Sequence, residues 1–327
     1  MPPRLDLLTT AAMAAVVPLA SCHPSHATST ATPSTSTAAI AGSASPVATS
    51  SSATATSPTT SAAAKPSGAG RPVACGAARC RAFASPEAAL DALLAETTPA
   101  ILAVGEAHAQ RDAEGPSTVA RFTAELLPTL RGRASALVVE VMVADARCGK
   151  ATDAKVAEQQ RPVTEGQAAS NPNEYATLAE SARALGIVPF PLRPSCDELE
   201  RVKAAGDDGV LVLLEVVTKT MGARLATLWS DTQAKSPGRF VVGYGGAMHN
   251  DRVPLEGREG WSFAAPLDTA TLGRFVELDL VDPRSVRNTD AWTRLRWRPA
   301  YDALAPTTDV VLIEMGPRSF ALVFARR

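Results

Sequence analysis

Several short runs of this chain are apolar on both faces of an extended strand. Ala100-Ile101-Leu102-Ala103-Val104 is one, Ala136 to Val143 is a second, and Arg239 to Tyr244 is a third built on Phe240-Val241-Val242. A strand without a polar face must be covered on both sides, which is the situation of a parallel sheet between helices. The segments between the runs supply those helices. Thr118 to Leu130 places Val119, Phe122, Leu126, Leu127 and Leu130 at helical spacing, and Glu174 to Leu185 reads as a helix closed by Gly186. Ser85-Pro86-Glu87 opens another, with Ser85 as N-cap and Pro86 in the first position. Ile187–Phe190 and Arg274–Val281 add strands, and Asp197 to about Thr232 reads as helix broken near Gly206–Gly209. Asp309–Met315 and Ser319–Ala325, joined at Gly316-Pro317, read as an antiparallel pair. The prediction is a single α/β domain, a mainly parallel sheet flanked by helices, with an antiparallel edge at the C-terminus. Ala144 to Pro172 shows only weak patterning.

Two of the strands run out into the same short pattern. Gly105-Glu106-Ala107-His108 follows the first and Gly246-Ala247-Met248-His249 follows Arg239–Tyr244. The chain has four histidines, and His23 and His26 lie in a low-complexity tail. The predicted domain therefore holds only His108 and His249, both at carboxyl ends of strands, where open α/β sheets collect their ligands. Glu106 lies two residues from His108, so an extended backbone points both side chains the same way. Glu140 interrupts the second apolar strand, and a buried carboxylate needs a partner. If strand order follows sequence, Glu140 sits beside the first strand. Arg193 leaves the third strand at the equivalent level, where a guanidinium can bind a carboxylate or an oxyanion. Each residue has a plainer reading as well: a hydrogen-bonded strand-end histidine, a structural ion pair, a helix cap. Their coincidence at successive strand ends is what marks a site.

The rest of the chain sets the context. Residues 1–21 read as an export signal, and Leu19-Ala20-Ser21-Cys22 resembles the bacterial lipobox, which would make Cys22 a lipidated anchor. Residues 22–70 are almost entirely Ala, Ser, Thr, Pro and Gly, a composition that cannot bury a core. As a flexible tether they would reach on the order of 40 Å. His23 after the anchor favours the outer membrane of the cell envelope. Residues 71–327 form the domain. Beyond Cys22 the cysteines are even in number, with Cys75 near Cys80 and with Cys148 and Cys196 each shortly after a strand, which reads as disulfides of an exported chain. A net charge of −1 gives no reason to expect nucleic acid as a partner. Arg284, Arg287, Arg294, Arg296 and Arg298, interleaved with Trp292 and Trp297, read as a solvated loop face.

Four segments carry a family resemblance. They are Ile-Leu-Ala-Val-Gly-Glu-Ala-His, Ala-Leu-Val-Val-Glu-Val-Met, the helix-to-strand stretch from Glu174 to Pro189, and Val-Val-Gly-Tyr-Gly-Gly-Ala-Met-His. In order and spacing, from about residue 98 to residue 250, they resemble the ChaN-like, TraB/Tiki and erythromycin-esterase superfamily. The branches imply different chemistry. Tiki-like members are metal-dependent proteases that hold the metal with paired Gly-x-x-His motifs. Erythromycin esterases activate water with motif His and Glu residues and no required metal. ChaN-like members are surface lipoproteins that bind haem through tyrosine, and none of Tyr175, Tyr244 and Tyr301 aligns with that ligand.

The resulting expectation is a surface-anchored hydrolase acting on a small molecule or peptide. In a metal-free form, His108 or His249 would be the base, Glu140 or Glu106 would orient it, and Arg193 would stabilise the oxyanion. In a metal form, His108, His249 and Glu106 would ligate a divalent ion (Mn, Co, Fe or Zn). The chain has no Gly-x-Ser-x-Gly elbow. The alternatives are a lipoprotein that binds haem or another iron compound, and a structural envelope protein. Substrate choice is expected in Ala144–Pro172 and in the loops after residue 250.

Overall fold

The computed structural model describes residues 68–143, 145–305 and 307–326, with the backbone of Ala15 and Val16. Ala15–Val16 forms a two-residue strand parallel to Val141–Met142. The remainder of the expected signal peptide, Cys22 and nearly all of the tether lie outside the described residues.

From Arg71 onward, nine strands form one sheet. They are β1 (Arg71–Val73), β2 (Arg79–Phe83), β3 (Ile101–Glu106), β4 (Ala134–Met142), β5 (Val188–Leu192), β6 (Phe240–Gly246), β7 (Phe275–Val281), β8 (Val310–Gly316) and β9 (Ser319–Val323). Their order is β5-β4-β6-β3-β7-β9-β8-β2-β1. The ladders from β5 to β9 are parallel; β8, β2 and β1 close the other edge antiparallel. The α/β domain, its mainly parallel sheet and its antiparallel C-terminal edge are as the sequence predicts. The hairpin β1–β2, which extends that edge, is an addition.

Both faces are covered. Leu102, Val104, Val139, Val242 and Leu278 pack under α1 (Pro86–Thr97), α2 (Thr118–Arg121) with its continuation to Leu130, and α4 (Asn171–Ala184). Ile101, Ala103, Val138 and Val241 pack under α3 (Lys150–Thr164), α5 (Cys196–Ala204), α6 (Gly209–Lys235) and α7 (Ala264–Ala270). The caps are those read from the sequence. Ser85 accepts from the Ala88 amide, and Gly186 follows α4 at φ +77°. The stretch Thr118–Leu130 is helical but irregular, an α turn passing into a π turn at Phe122–Leu126 and a 3₁₀ turn at Leu127–Leu130. Pro128 has no N–H to continue the α ladder. The weakly patterned region contains α3, whose composition is too polar to show a helical stripe.

One expectation about strand order is corrected. Glu140 does not lie on a neighbour of the first strand, because β6 is inserted between β3 and β4. Glycines make β6 narrow enough for that central place. A Cβ on Gly243 would sit 3.1 Å from Met221 and 3.2 Å from Leu225, where α6 presses onto the sheet.

The cysteines pair as Cys75–Cys80 and Cys148–Cys196. The second pair ties the 3₁₀ turn after β4 to the first residue of α5. Trp292 and Trp297 are buried in a third cluster against β8 and β9.

Candidate active site

Strand adjacency brings the two Gly-x-x-His segments together. In the β3–β6 ladder Gly105 pairs with Gly245 and Glu106 with Gly246, so both motifs leave the sheet at the same level. His108 follows in the loop after β3, and His249 ends a 3₁₀ turn after β6. Glu140 comes from the other neighbour of β6. Val139 pairs with Tyr244, which puts Glu140 on the opposite face, over Gly245. A side chain at Gly245 would meet the Glu140 Cβ at 2.8 Å, and one at Gly105 would meet Asp279 Oδ1 at 2.6 Å. Glu140, Gly245, Gly105 and Asp279 thus form one row across four strands, two glycines between two carboxylates.

Glu106 anchors His108. The Tyr175 hydroxyl donates to its Oε1 at 2.8 Å, and the Tyr244 hydroxyl donates to its Oε2 at 2.9 Å. His108 Nδ1 lies 3.1 Å from Oε1. Both tyrosines are pushed well above the usual phenol range by burial and then by the Glu106 charge, so they stay donors. With Glu106 accepting, Nδ1 of His108 carries the proton and Nε2 of the neutral ring carries the lone pair. Burial disfavours the His108 imidazolium. The Glu106 hydrogen bond and the charges of Glu140 and Glu106 outweigh that, and the pKa is raised above its ordinary value.

His249 is oriented the same way by different groups. Its Nδ1 lies 2.8 Å from Thr218 Oγ1 and 3.0 Å from the Trp261 carbonyl, and the Thr218 hydroxyl donates to that carbonyl at 2.8 Å. A carbonyl only accepts, so Nδ1 is the protonated nitrogen and Nε2 again carries the lone pair.

Both lone pairs face one oxygen. Glu140 Oε1 is 3.6 Å from His249 Nε2 and 4.0 Å from His108 Nε2, while the Gly246 amide donates to Oε2. All three atoms are buried without a hydrogen-bond partner. Three electron-rich atoms converging in the buried interior call for a proton or another positive charge among them. Among the described residues no group of three or more His, Cys, Asp or Glu side chains stands at metal-binding distances. Donors about 2.1 Å from one ion at tetrahedral angles stand roughly 3.4 Å apart, so Glu140 Oε1 and the two imidazoles would have to draw closer to share one. The donor set, two imidazoles and a carboxylate with each imidazole held through Nδ1, fits a divalent ion.

Two sequence assignments are corrected by this geometry. Glu106, expected as a metal ligand, faces the opposite nitrogen of His108 and is occupied by two tyrosines; Glu140 has the position expected for it. Arg193 is exposed at the end of β5, on the sheet edge beyond β4, where its charge acts on Asp145 rather than on the cluster. Tyr175 and Tyr244, which do not align with the haem-ligating tyrosine of the ChaN-like branch, were given no role by the sequence. Period-two spacing puts Tyr244 on the face of Gly246, a signal present in the sequence, but only the β3–β6 ladder makes that the Glu106 face. Tyr175 arrives from α4 and left none.

A cleft of about 470 Å³ opens beside Glu106 and His108. Its walls come from Glu165–Gln167 and from the segments around 251–258 and 285–297, within the regions expected to choose substrate. The arginine–tryptophan segment is therefore a solvated face only in part: Arg284 and Arg294 are exposed, while Trp292, Trp297 and Arg298 are buried. Arg296 lies 3.5 Å from Asp251 and 3.4 Å from Glu277, and Arg298 pairs with Asp302. Glu277 and Asp279, two acids in the apolar strand β7, line the same cleft. Burial, then the charge of Asp251, raises Glu277 to about 7; burial, then the charge of Glu277, raises Asp279. Their pattern repeats that of Glu140 and went unread.

Comparison with protein-family models, with curated proteins and with solved structures finds no match for this chain.

Proposed function

We propose that the chain is a hydrolase whose reacting centre is His108, His249 and Glu140, acting on a carbonyl substrate, an ester or amide, held in the adjoining cleft. The observation that carries this is the meeting of His108 Nε2, His249 Nε2 and Glu140 Oε1, each buried and without a partner. A divalent ion held by these atoms would supply Lewis acidity and a bound water of lowered pKa. The chain does the rest. Glu106 and the Trp261 carbonyl fix both imidazole tautomers, and the Gly246 amide fixes Glu140. Tyr175 and Tyr244 hold Glu106, and the two phenols are thereby committed, which favours this reading over haem ligation by tyrosine. Attachment to the envelope through Cys22 belongs to the same proposal.

The test is metal content. The purified protein is exposed to Mn, Co, Fe and Zn in turn, desalted and analysed for bound metal. Near one ion per chain is expected, lost in His108→Ala, His249→Ala and Glu140→Gln. No metal retained by the wild type under any condition overturns the reading.

A further inference from the structure

Two buried acceptor oxygens overhang Gly105. A Cβ on that glycine would stand 2.6 Å from Asp279 Oδ1 and 2.7 Å from Asn250 Oδ1, so both lie close to one point above β3. Neither oxygen has a hydrogen-bond partner, and both residues are buried. Turning the Asn250 amide over does not mend this. Its Nδ2 donates to the Ala103 carbonyl at 3.1 Å, and a carbonyl only accepts, so Oδ1 is the atom left above Gly105 with Asp279.

The nearby donors are spent elsewhere. Glu277, two residues earlier on the same face of β7, accepts from the Arg252 amide at 3.1 Å, the Ser319 hydroxyl at 2.7 Å and Arg296 at 3.4 Å. The other terminal nitrogen of Arg296 donates to the Met315 carbonyl, and the Arg252 guanidinium is held by Asp268 and the Phe275 carbonyl. An ionised Asp279 beside an amide oxygen would leave two buried acceptors unsatisfied, whereas one proton on Asp279 satisfies both. The surroundings favour that proton. Burial, then the charges of Glu277 and Asp251, raise Asp279 well above the carboxylate range, and the Asn250 amide and Arg296 do not reverse it.

Asn250 directly follows His249 at the end of the 3₁₀ turn, so what holds Asn250 holds the turn that carries the imidazole. A bond from Asp279 would clamp that turn from two strands, β3 through the Ala103 carbonyl and β7 through the acid.

We propose that Asp279 is a positioning residue: as a neutral acid it donates its O–H to Asn250 Oδ1 and thereby fixes His249. The place of His249 in a reacting centre rests on the hydrolase reading above; the shared proton does not.

The test starts with the full chain in metal-free form near neutral pH. Infrared spectra should show the carbonyl band of a protonated carboxylic acid that is lost in Asp279→Asn and kept in Glu277→Gln. Nitrogen-15 NMR follows the ring nitrogens of His249. Asp279→Asn keeps a donor toward Asn250 and should leave those signals in place. Asp279→Ala and Asn250→Ala should each move them, and the double variant should move them no further than either single. After metal loading, the alanine variants should bind about 10- to 100-fold more weakly, as loss of a supporting residue does, and Asp279→Asn close to wild type. Circular dichroism confirms folding; should an alanine variant fail to fold, the infrared band and Asp279→Asn still decide. Absence of the acid band, His249 signals displaced in Asp279→Asn, or a second metal ion per chain that Asp279→Asn removes, overturns the proposal. The band and the coupled shifts in a chain that retains no metal would sustain it and remove the metal-dependent reading.

Discussion

Glu140 gives one carboxylate oxygen to the Gly246 amide and turns the other toward two imidazoles. Everything near it depends on small differences in position. Gly245 has to be glycine because a Cβ there would stand 2.8 Å from the Glu140 Cβ, in a strand that cannot move away from either neighbour. Gly245→Ala is expected to lower stability by about 2–3 kcal/mol, as overpacking does, and to abolish metal retention. Urea unfolding with metal analysis reads both. Glu106 acts one bond further out. Glu106→Gln leaves a single acceptor oxygen for two phenols and the imidazole, and a metal affinity 10- to 100-fold weaker is expected, measured by competition with a chelator. The raised His108 pKa sets a direction as well. The proton held by the Glu106–His108–Glu140 arrangement must leave before Nε2 can bind an ion, so metal affinity should fall as pH drops through that pKa. Affinity that stays constant from pH 8 to pH 5.5 would contradict it. At this scale the sequence was most readable where a polar residue interrupted an apolar pattern. Glu140 stood out in that way, and His108 and His249 through the repeated Gly-x-x-His pattern at the ends of apolar runs. Arg193 did not belong, because a strand-end position says nothing about which edge of the sheet the strand occupies.

The strands decide which of these residues meet. β6 lies between β3 and β4, and that insertion makes the two Gly-x-x-His segments neighbours. The alternation of strands and helices was legible because both-face burial leaves apolar runs and helical burial leaves a stripe. The order of the strands was not, since a parallel sheet admits several orders for one list of elements. β7 carries its own device. Glu277 is raised from 4.5 to about 7 by burial and then by Asp251, and Asp279 is raised in the same direction. The folded chain therefore holds protons that the unfolded chain has released between about pH 4.5 and pH 7. Stability falls as pH rises through that window, by on the order of 3 kcal/mol from Glu277, and levels off above it. Glu277→Gln should flatten that slope, as followed by urea midpoints from pH 4.5 to pH 8; a slope unchanged by the substitution would count against the assignment. The Cys148–Cys196 bond works between elements too. It closes a loop with a sequence separation of 48 residues between the turn after β4 and α5, and Cys148→Ser with Cys196→Ser should lower stability by about 2–4 kcal/mol.

For the whole molecule, the sheet is a platform whose parallel strands present their carboxyl ends to one rim, with the segments around 165–167, 251–258 and 285–297 standing over it as walls. The platform was written in hydrophobic periodicity. The walls were not, because their residues answer to a cavity rather than to a repeating pattern, and buried Trp292 and Trp297 passed for part of a solvated face. The central claim is that His108, His249 and Glu140 together hold one divalent ion. The most direct measurement is the metal content of purified wild type beside His108→Ala, His249→Ala and Glu140→Gln after loading and desalting. The account predicts close to one ion per chain in the wild type and none in the three variants. Wild type without metal, or variants that retain it, would contradict the account.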